Sequence, residues 1–541
     1  MDKMKSLKYI VVSTLAITAL SSCNDFLDKL PDDRAEIKTE SQVRDLLVSS
    51  YPVYNNNTIM EMMSDNVADN GKTYASTVLK DELYHFQDVD DTGNDSPYAV
   101  WNGYYESVAT ANQALKSLEE IGGSANKSLA AEAKMVRAYS MFQLANTFCM
   151  AWDPDKADEY MGLPYPKEPA KFIGGQYERG TLRQLYENIN KDIEEALPDI
   201  DDTEYTVPKY HFNKKAAYAF AARFNLYYQN WDKCIAYANE VLGSDPTTVM
   251  RDYEPLTQFG AQDIGNQYIK TSEKANLMML ATYSGLAYNL TYAVYPRFQH
   301  NQYVCSYGTY WAKAPWGSGS GGSGEGAQAL LYYSNMIYGS SQACYFPKIM
   351  AQFEITDKIN QTGYLHAVDA VFTGDETLLC RAEAYALCSE HRYDLAVNDI
   401  NTWIKTHCRA EATDGTKRPV LTVESLNSFM DEMEYSPEQL ESWAELTIRK
   451  HLHPRGFTIA EGSTEENIVN LILHMRRLET MYQGLRFIDL KRYGIAFSHV
   501  LVGEEQSVFN SESTNWTDLR GAVQLPADVI KAGLPANPRS N

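Results

Sequence analysis

The chain has 541 residues and a formal net charge of −23 at pH 7. Its 44% hydrophobic and 22% charged residues are typical of a folded globular protein rather than a disordered one. The acidic balance disfavours nucleic acid as a partner, because a nucleic-acid-binding protein should show a basic face and this chain has no basic run. Beyond the first 22 residues there is no uninterrupted apolar run of about 18 residues, so no later segment is predicted to span a membrane.

The N-terminus has the pattern of a bacterial lipoprotein signal. Three lysines precede an apolar run over residues 10–20, which is too short to cross a bilayer. The run leads into Leu20-Ser21-Ser22-Cys23, where a cysteine replaces the small residue that ends an ordinary cleavage site. We predict that residues 1–22 are removed, that Cys23 is lipidated and that 23–40 form a short tether. The alternative is an ordinary export signal with a chance cysteine.

The remaining sequence, residues 41–541, predicts one mostly α-helical body. Apolar residues recur at helical spacing in three helical hairpins, near 101–148, 181–242 and 376–404, and again over 467–493. In the second and third hairpins an aromatic residue opens the second helix and a small residue follows three positions later. That spacing is the packing logic of tetratricopeptide repeats, although the units are unevenly spaced.

An irregular region near 250–350 separates the second and third hairpins. Its segment 283–316 is rich in tyrosine and tryptophan without a helical stripe, and the Gly/Ser run over 317–326 predicts a mobile loop. Aromatic rings present flat apolar faces that match the CH faces of sugars. We therefore predict a ligand platform in this region.

Seven residues are candidates for ligand contact. Trp311 and Trp316 are expected to stack on the ligand. Tyr288, Tyr292 and Tyr295 would assist. The segment 55–104 could supply the opposite wall, and its candidates are Tyr74 and Asn102. The alternative reading of these rings is burial in the core.

Cofactors are not predicted. The oxygen-rich stretch 88–95 approaches an EF-hand loop, but Thr92 stands where Asp or Asn is expected and Ala99 where Glu is expected. A solvated acidic loop is the better interpretation, and calcium is only a weak alternative. The seven cysteines after Cys23 include no CxxC pair, so no disulfide framework is predicted, although one bridge remains possible.

Catalytic motifs give no support for an enzyme. HExxH and GxSxG are absent, and a GxGxxG match over 319–324 lies in the Gly/Ser run with no strand before it. Paired carboxylates of a glycoside hydrolase are not excluded, because 71 acidic residues guarantee many pairs whose separation the sequence does not give. We predict a protein that is not an enzyme.

Several stretches are informative when they are taken together. They are Cys23 with Asp25-Phe26-Leu27-Asp28 and Pro31; Trp101, Tyr104, Tyr105, Ala111 and Asn112; Glu132, Arg137-Ala138-Tyr139 and Phe142; Arg179-Gly180-Thr181; Asp192-Ile193-Glu194-Glu195-Ala196-Leu197-Pro198; Lys215-Ala216-Ala217 to Trp231; Leu379 and Arg381-Ala382-Glu383-Ala384-Tyr385; and Arg476-Arg477-Leu478-Glu479 with Gly484, Arg486 and Asp489-Leu490. In this order they resemble the SusD/RagB family of outer-membrane nutrient-binding lipoproteins. Met475 and Gln483 depart from the family, in which glutamates are common at these two positions.

The resemblance implies a mostly helical SusD-like fold with four tetratricopeptide-like units and an irregular ligand-bearing part. It also implies a cell-surface position at the outer membrane and a SusC-like TonB-dependent transporter as the partner. The expected function is capture of an oligosaccharide and its delivery to that transporter. A peptide-binding receptor of the same fold is the first alternative, and a lipid-anchored glycoside hydrolase is the second.

Overall fold

A computed structural model describes residues 37–122, 126–169, 177–292, 297–318, 329–499 and 507–539. The predicted signal, Cys23 and most of the predicted tether lie outside these residues. So does most of the Gly/Ser run over 317–326. None of the described helices is long and apolar enough to cross a membrane.

Helices make up most of the regular structure, which confirms the predicted fold class. They are α1 (Glu40–Val48), α2 (Asn57–Met62), α3 (Val78–Tyr84), α4 (Pro97–Ile121), α5 (Lys127–Phe148), α6 (Leu182–Ala196), α7 (Lys214–Tyr227), α8 (Trp231–Leu242), α9 (Ala261–Tyr268), α10 (Gly374–Leu387), α11 (Tyr393–His407), α12 (Val423–Asp431), α13 (Thr464–Glu479), α14 (Leu485–Arg492) and α15 (Ala527–Lys531).

Local capping signals set the ends of the hairpin helices. The Thr181 hydroxyl accepts a hydrogen bond from the backbone N–H of Gln184, and the Gln184 side-chain oxygen accepts one from the backbone N–H of Thr181, so α6 starts with a capping box. At the start of α7 the Asn213 side-chain oxygen accepts a hydrogen bond from the backbone N–H of Ala216. Gly122 ends α4 at φ 67°, a backbone conformation that glycine adopts at little cost.

The helices pack through apolar stripes that the sequence spacing predicts. On α6 the stripe comprises Leu182, Leu185, Ile189 and Ile193, all of them buried. Each fully buried side chain of this kind contributes about 1.5–3 kcal/mol to folding. The buried residues form one hydrophobic cluster that extends along the chain from Val43 to Leu525.

The predicted helical region over 467–493 is two helices, α13 and α14, rather than one. Gly484 breaks the region at φ 72°. A Cβ atom at this position would lie 2.7 Å from the Cβ of Met60, so the close approach of α2 also requires glycine here. The break turns α14 back onto the rest of the body.

Short strands lie mostly in and beside the predicted irregular region. They are β1 (Ala68–Asp69), β2 (Asn276–Tyr283), β3 (Phe298–Gln299), β4 (Tyr338–Ser340), β5 (Ala343–Tyr345), β6 (Gln352–Asp357), β7 (Thr362–Thr373), β8 (Phe497–Ser498) and β9 (Val508–Phe509). Strands β2, β7 and β6 form an antiparallel sheet in that order, and β7 runs directly into α10. The other strands form two-stranded pairs: β1 with β3, β4 with β5 and β8 with β9.

Buried ion pairs join the helices at the centre of the molecule. Arg476 on α13 is fully buried; its Nε lies 3.0 Å from an oxygen of Asp489, and its Nη1 lies 3.2 Å from an oxygen of Glu376. Arg223 binds both oxygens of Glu376 at 3.1 Å. These contacts connect α7, α10, α13 and α14, so the four charged residues have a structural role.

The two departures from the family pattern are accommodated without added charge. Met475 is fully buried among apolar neighbours. The Gln483 amide donates hydrogen bonds of 2.8 Å to the Asp369 carboxylate and to the Ala370 carbonyl. The seven cysteines of the described residues are buried free thiols.

Candidate ligand-binding surface

Two sequence-distant segments meet beside the aromatic belt. Strand β1 pairs antiparallel with β3, with Asp69 opposite Phe298. The pairing continues on both sides, because Asn70 N–H donates to the Arg297 carbonyl at 2.7 Å and Arg297 N–H donates to the Ala75 carbonyl at 2.9 Å. A part of the segment 55–104 therefore borders the aromatic segment.

Arg297 holds this junction by charge as well as by backbone pairing. Its Nε and Nη2 bind the Asp69 carboxylate at 2.8–3.1 Å, and its Nη1 binds Asp81 at 2.8 Å. The hydrogen bond that Arg297 donates to Asp69 raises the pKa of Arg297. A doubly paired guanidinium fixes the turn between β1 and α3, which carries Tyr74.

Asp95 anchors the other end of the aromatic segment. Its carboxylate accepts hydrogen bonds from the Ser284 hydroxyl at 2.6 Å, the Gly285 N–H at 2.8 Å and the Thr58 hydroxyl at 2.9 Å. Asp95 is thus committed to protein donors. Among the described residues, no group of three or more His, Cys, Asp or Glu side chains could hold a metal ion.

His300 fixes the middle of the segment from the inside. Its two ring nitrogens lie 2.6 Å from the Cys344 carbonyl and 2.7 Å from the Thr309 hydroxyl. Burial lowers the pKa of His300 to about 4, so the ring is neutral at pH 7. A neutral ring donates to the carbonyl and accepts from the hydroxyl, which satisfies both nitrogens.

Three tyrosines of this segment present their rings to solvent. Tyr288 is 55% exposed, Tyr303 is 51% exposed and Tyr307 is 38% exposed. Tyr303 stacks on Trp443, with ring centroids 5.2 Å apart and ring planes within 4° of parallel. Tyr288 was among the predicted contacts. The density of aromatics over 283–316 pointed to Tyr303 and Tyr307, but nothing in the sequence pointed to Trp443, which lies 140 residues further on.

Trp311 and Trp316 do not form a surface platform in this structure. Trp311 is 9% exposed, and its indole N–H donates to the Ser334 carbonyl at 3.1 Å. Trp316 is 4% exposed and lies against the rings of His474 and Trp403, with centroid distances of 5.9 and 5.3 Å. Stacking on a ligand requires an open ring face, and protein groups cover these rings.

Of the four remaining candidates, the structure describes the side chains of two. Tyr74 is half-buried in the turn after β1, and Asn102 is exposed on α4. Tyr292 ends a π-helical turn that begins at Tyr288, but its side chain is outside the described part of the structure. Tyr295 lies outside the described residues altogether.

Known proteins are similar to this chain in sequence and in fold. Residues 25–226 match the family model SusD-like, described as starch-binding and associating with the outer membrane. Over these residues the chain is similar to SusD-like proteins. No curated protein matches its sequence.

Solved structures with the SusD-like fold match nearly the whole chain. A SusD superfamily protein from Bacteroides thetaiotaomicron VPI-5482 is 17% identical, with a TM-score of 0.60 over 93% of this chain and 100% of that one. A putative sugar binding protein from Bacteroides vulgatus ATCC 8482 is 14% identical, with a TM-score of 0.62 over 93% and 99%. A laminarin binding SusD-like protein is 15% identical, with a TM-score of 0.52 over 92% and 97%. At these identities the likeness establishes the fold.

Proposed function

We propose that this protein captures oligosaccharides at the cell surface and passes them to a SusC-like TonB-dependent transporter, without catalysing a reaction. The observation that carries the proposal is the exposure of three rings, Tyr288, Tyr303 and Tyr307, on a segment held by Asp95, Arg297 and His300. The family description and the laminarin-binding relative of the same fold support a carbohydrate as the ligand.

Preorganisation of the tyrosine segment favours binding of a sugar. Each tyrosine ring offers a flat apolar face to a sugar and a hydroxyl that can pair with sugar hydroxyls. Rings that are already fixed lose little conformational freedom on binding, so more of the contact energy appears as affinity. The hydrogen bonds of Asp95, Arg297 and His300 provide that fixation for the backbone beneath the rings.

The direct test of function is a polysaccharide panel. The purified body, lacking residues 1–22, is passed over immobilised starch, laminarin and other plant and host glycans, and the wash is analysed for released sugars. We expect retention of at least one glycan without product. Product release would support the lipid-anchored hydrolase instead, and no retention of any glycan would overturn carbohydrate capture.

The lipid anchor belongs to the same proposal and has its own test. A Cys23→Ala variant, expressed as the full chain in a Bacteroidetes host, should lose metabolic labelling with palmitate and leave the outer-membrane fraction. The wild-type chain should keep both and co-purify with a TonB-dependent transporter that mass spectrometry identifies. Labelling that persists in Cys23→Ala would contradict the assignment of Cys23.

A peptide ligand is the second candidate, and the edge of the sheet favours it. Strand β6 lies at the end of the order β2–β7–β6, so one of its edges has no partner within the described sheet. Its side chains Phe353 and Ile355 are 53% and 43% exposed. An extended peptide can add to such an edge through backbone hydrogen bonds. Binding of a casein digest that Phe353→Lys abolishes, with no glycan retained, would favour this function.

A further inference from the structure

A cleft opens beside the exposed tyrosines. It lies between β1, the turn after Tyr303 and the stretch 436–450. Its walls are largely apolar and include Val67, Val304, Leu440, Trp443, Leu446 and Phe497. Trp443 lines the cleft and also stacks on the exposed ring of Tyr303, so the cleft lies next to that ring. The exposed rings of Tyr288, Tyr303 and Tyr307 are called the tyrosine surface below.

A lysine without a partner lies in this apolar cleft. Lys450 lines the cleft and is only 6% exposed. Its backbone is fixed, since its N–H donates to the Asn470 side chain at 2.9 Å and its carbonyl accepts from the same side chain at 3.0 Å. Its ammonium makes no hydrogen bond or ion pair with any residue that the structure describes.

The carboxylate that acts on Lys450, Asp65, is shared with two arginines. Asp65 also lines the cleft, but Arg486 binds both of its oxygens at 2.7 and 2.8 Å, and Arg477 lies 3.3 Å from one of them. Two guanidinium groups thus already share one carboxylate, and the ammonium adds further positive charge. A buried and uncompensated ammonium is costly, and a bound anion would remove that cost.

We propose that this cleft binds the anionic group of an acidic oligosaccharide, with Lys450 donating to a carboxylate or sulfate oxygen and Trp443 covering the sugar ring. The inference rests on the proposed function and narrows its ligand to glycans that carry uronic acid or sulfate ester groups. The buried Ser436, which also lines the cleft, is placed to share the same anion. Neighbouring sugars would extend over Tyr303.

Burial also lowers the pKa of Lys450, so the protonation of its amine should depend on whether an anion is bound. Desolvation lowers the pKa of Lys450 to about 7, with Arg477 and Arg486 also lowering it and Asp65 opposing them. Other groups around it do not titrate near pH 7. The pKa of Arg477 is about 10, that of His474 is about 3, and the arginines hold that of Asp65 well below its usual range. Anion binding should therefore draw a proton onto Lys450.

The test is calorimetry with paired ligands. Oligogalacturonates and sulfated oligosaccharides are each compared with their carboxyl-reduced or desulfated forms, on wild type, Lys450→Met and the exposed control Lys358→Met. We expect the acidic form of at least one pair to bind wild type about tenfold tighter than its neutral form, the value of a charge-assisted hydrogen bond. Lys450→Met should abolish that difference, and Lys358→Met should keep it.

The outcomes separate this inference from the proposed function. Neutral glycans that bind without any acidic preference, or a preference that survives in Lys450→Met, overturn the anion site and leave glycan capture standing. Failure of every glycan to bind overturns both. A second measurement needs no variant. The binding enthalpy of the acidic ligand to wild type is measured at pH 7.5 in buffers of different ionisation enthalpy, and a dependence on the buffer reports proton uptake. No uptake would also overturn the site.

Discussion

Arg137 on α5 and Asp192 on α6 form a buried bidentate ion pair. The Nε and Nη2 of Arg137 lie 2.6 and 2.7 Å from the two oxygens of Asp192, and both side chains are about 5% exposed. The remaining Nη1 donates to the Asn112 side chain on α4 at 2.7 Å. One guanidinium therefore ties three consecutive helices, and all three residues belong to the stretches that carry the family resemblance.

Breaking this pair should destabilise the fold strongly. Arg137→Met leaves the Asp192 carboxylate buried without its main partner, so we expect the free energy of unfolding in urea to fall by about 3 kcal/mol or more. The control is Lys116→Met, which removes an exposed partner of Glu119 and should leave the unfolding midpoint unchanged. An equal effect of the two substitutions would contradict a structural role for the buried pair.

Truncation of Trp316 should act on stability rather than directly on binding. Trp316→Ala removes a ring enclosed by His474 and Trp403, and a core tryptophan of this kind contributes about 3–5 kcal/mol. Tyr303→Ala removes an exposed ring and should cost less than about 1 kcal/mol. Chemical denaturation of both variants decides the matter, and a Trp316→Ala variant as stable as wild type would show that the ring is not part of the core.

Acidification should weaken the fold through His474. Its two ring nitrogens are buried and have no hydrogen-bond partner among the described residues, and burial lowers its pKa from 6.5 to about 3. Between these values the unfolded chain binds the proton more tightly than the folded chain, so stability is lost as the pH falls below 6.5.

The matching experiment replaces this histidine by an apolar residue of similar size. His474→Leu should reduce the loss of unfolding free energy between pH 7 and pH 4.5, and it should be at least as stable as wild type at the lower pH. The neighbouring Met475→Leu, which removes no ionisable group, is the control and should keep the wild-type slope. A slope that His474→Leu leaves unchanged would contradict the protonation of this ring on unfolding.

Much of the fold was predictable because helices are encoded locally. The apolar stripe of α6, the Thr181 cap of that helix and the end of α4 at Gly122 each depend on residues within a few positions of one another. The strands were harder to predict. β2 is buried on nearly every residue and so lacks the alternation that marks a strand, and its partner β7 lies about 90 residues away.

The site was predictable only as a region. The aromatic density over 283–316 indicated the segment that carries Tyr288, Tyr303 and Tyr307, but it did not separate exposed rings from buried ones. Trp316 is covered by Trp403 and His474, and Tyr303 is stacked on Trp443; these contacts span 87 to 158 residues of sequence. Lys450 shows the same limit, because only the folded chain reveals that Asp65 is already occupied.

The most direct test of glycan capture is calorimetry on the double variant Tyr288→Ala/Tyr303→Ala. The ligand is whichever of maltoheptaose, laminarihexaose or oligogalacturonate binds wild type most tightly, and the control is Tyr210→Ala, an exposed tyrosine outside the surface. Each ring contributes about 0.5–1.5 kcal/mol, so the double variant should bind about tenfold more weakly while the control binds like wild type. Unchanged affinity in a folded double variant would contradict the tyrosine surface as the site of capture.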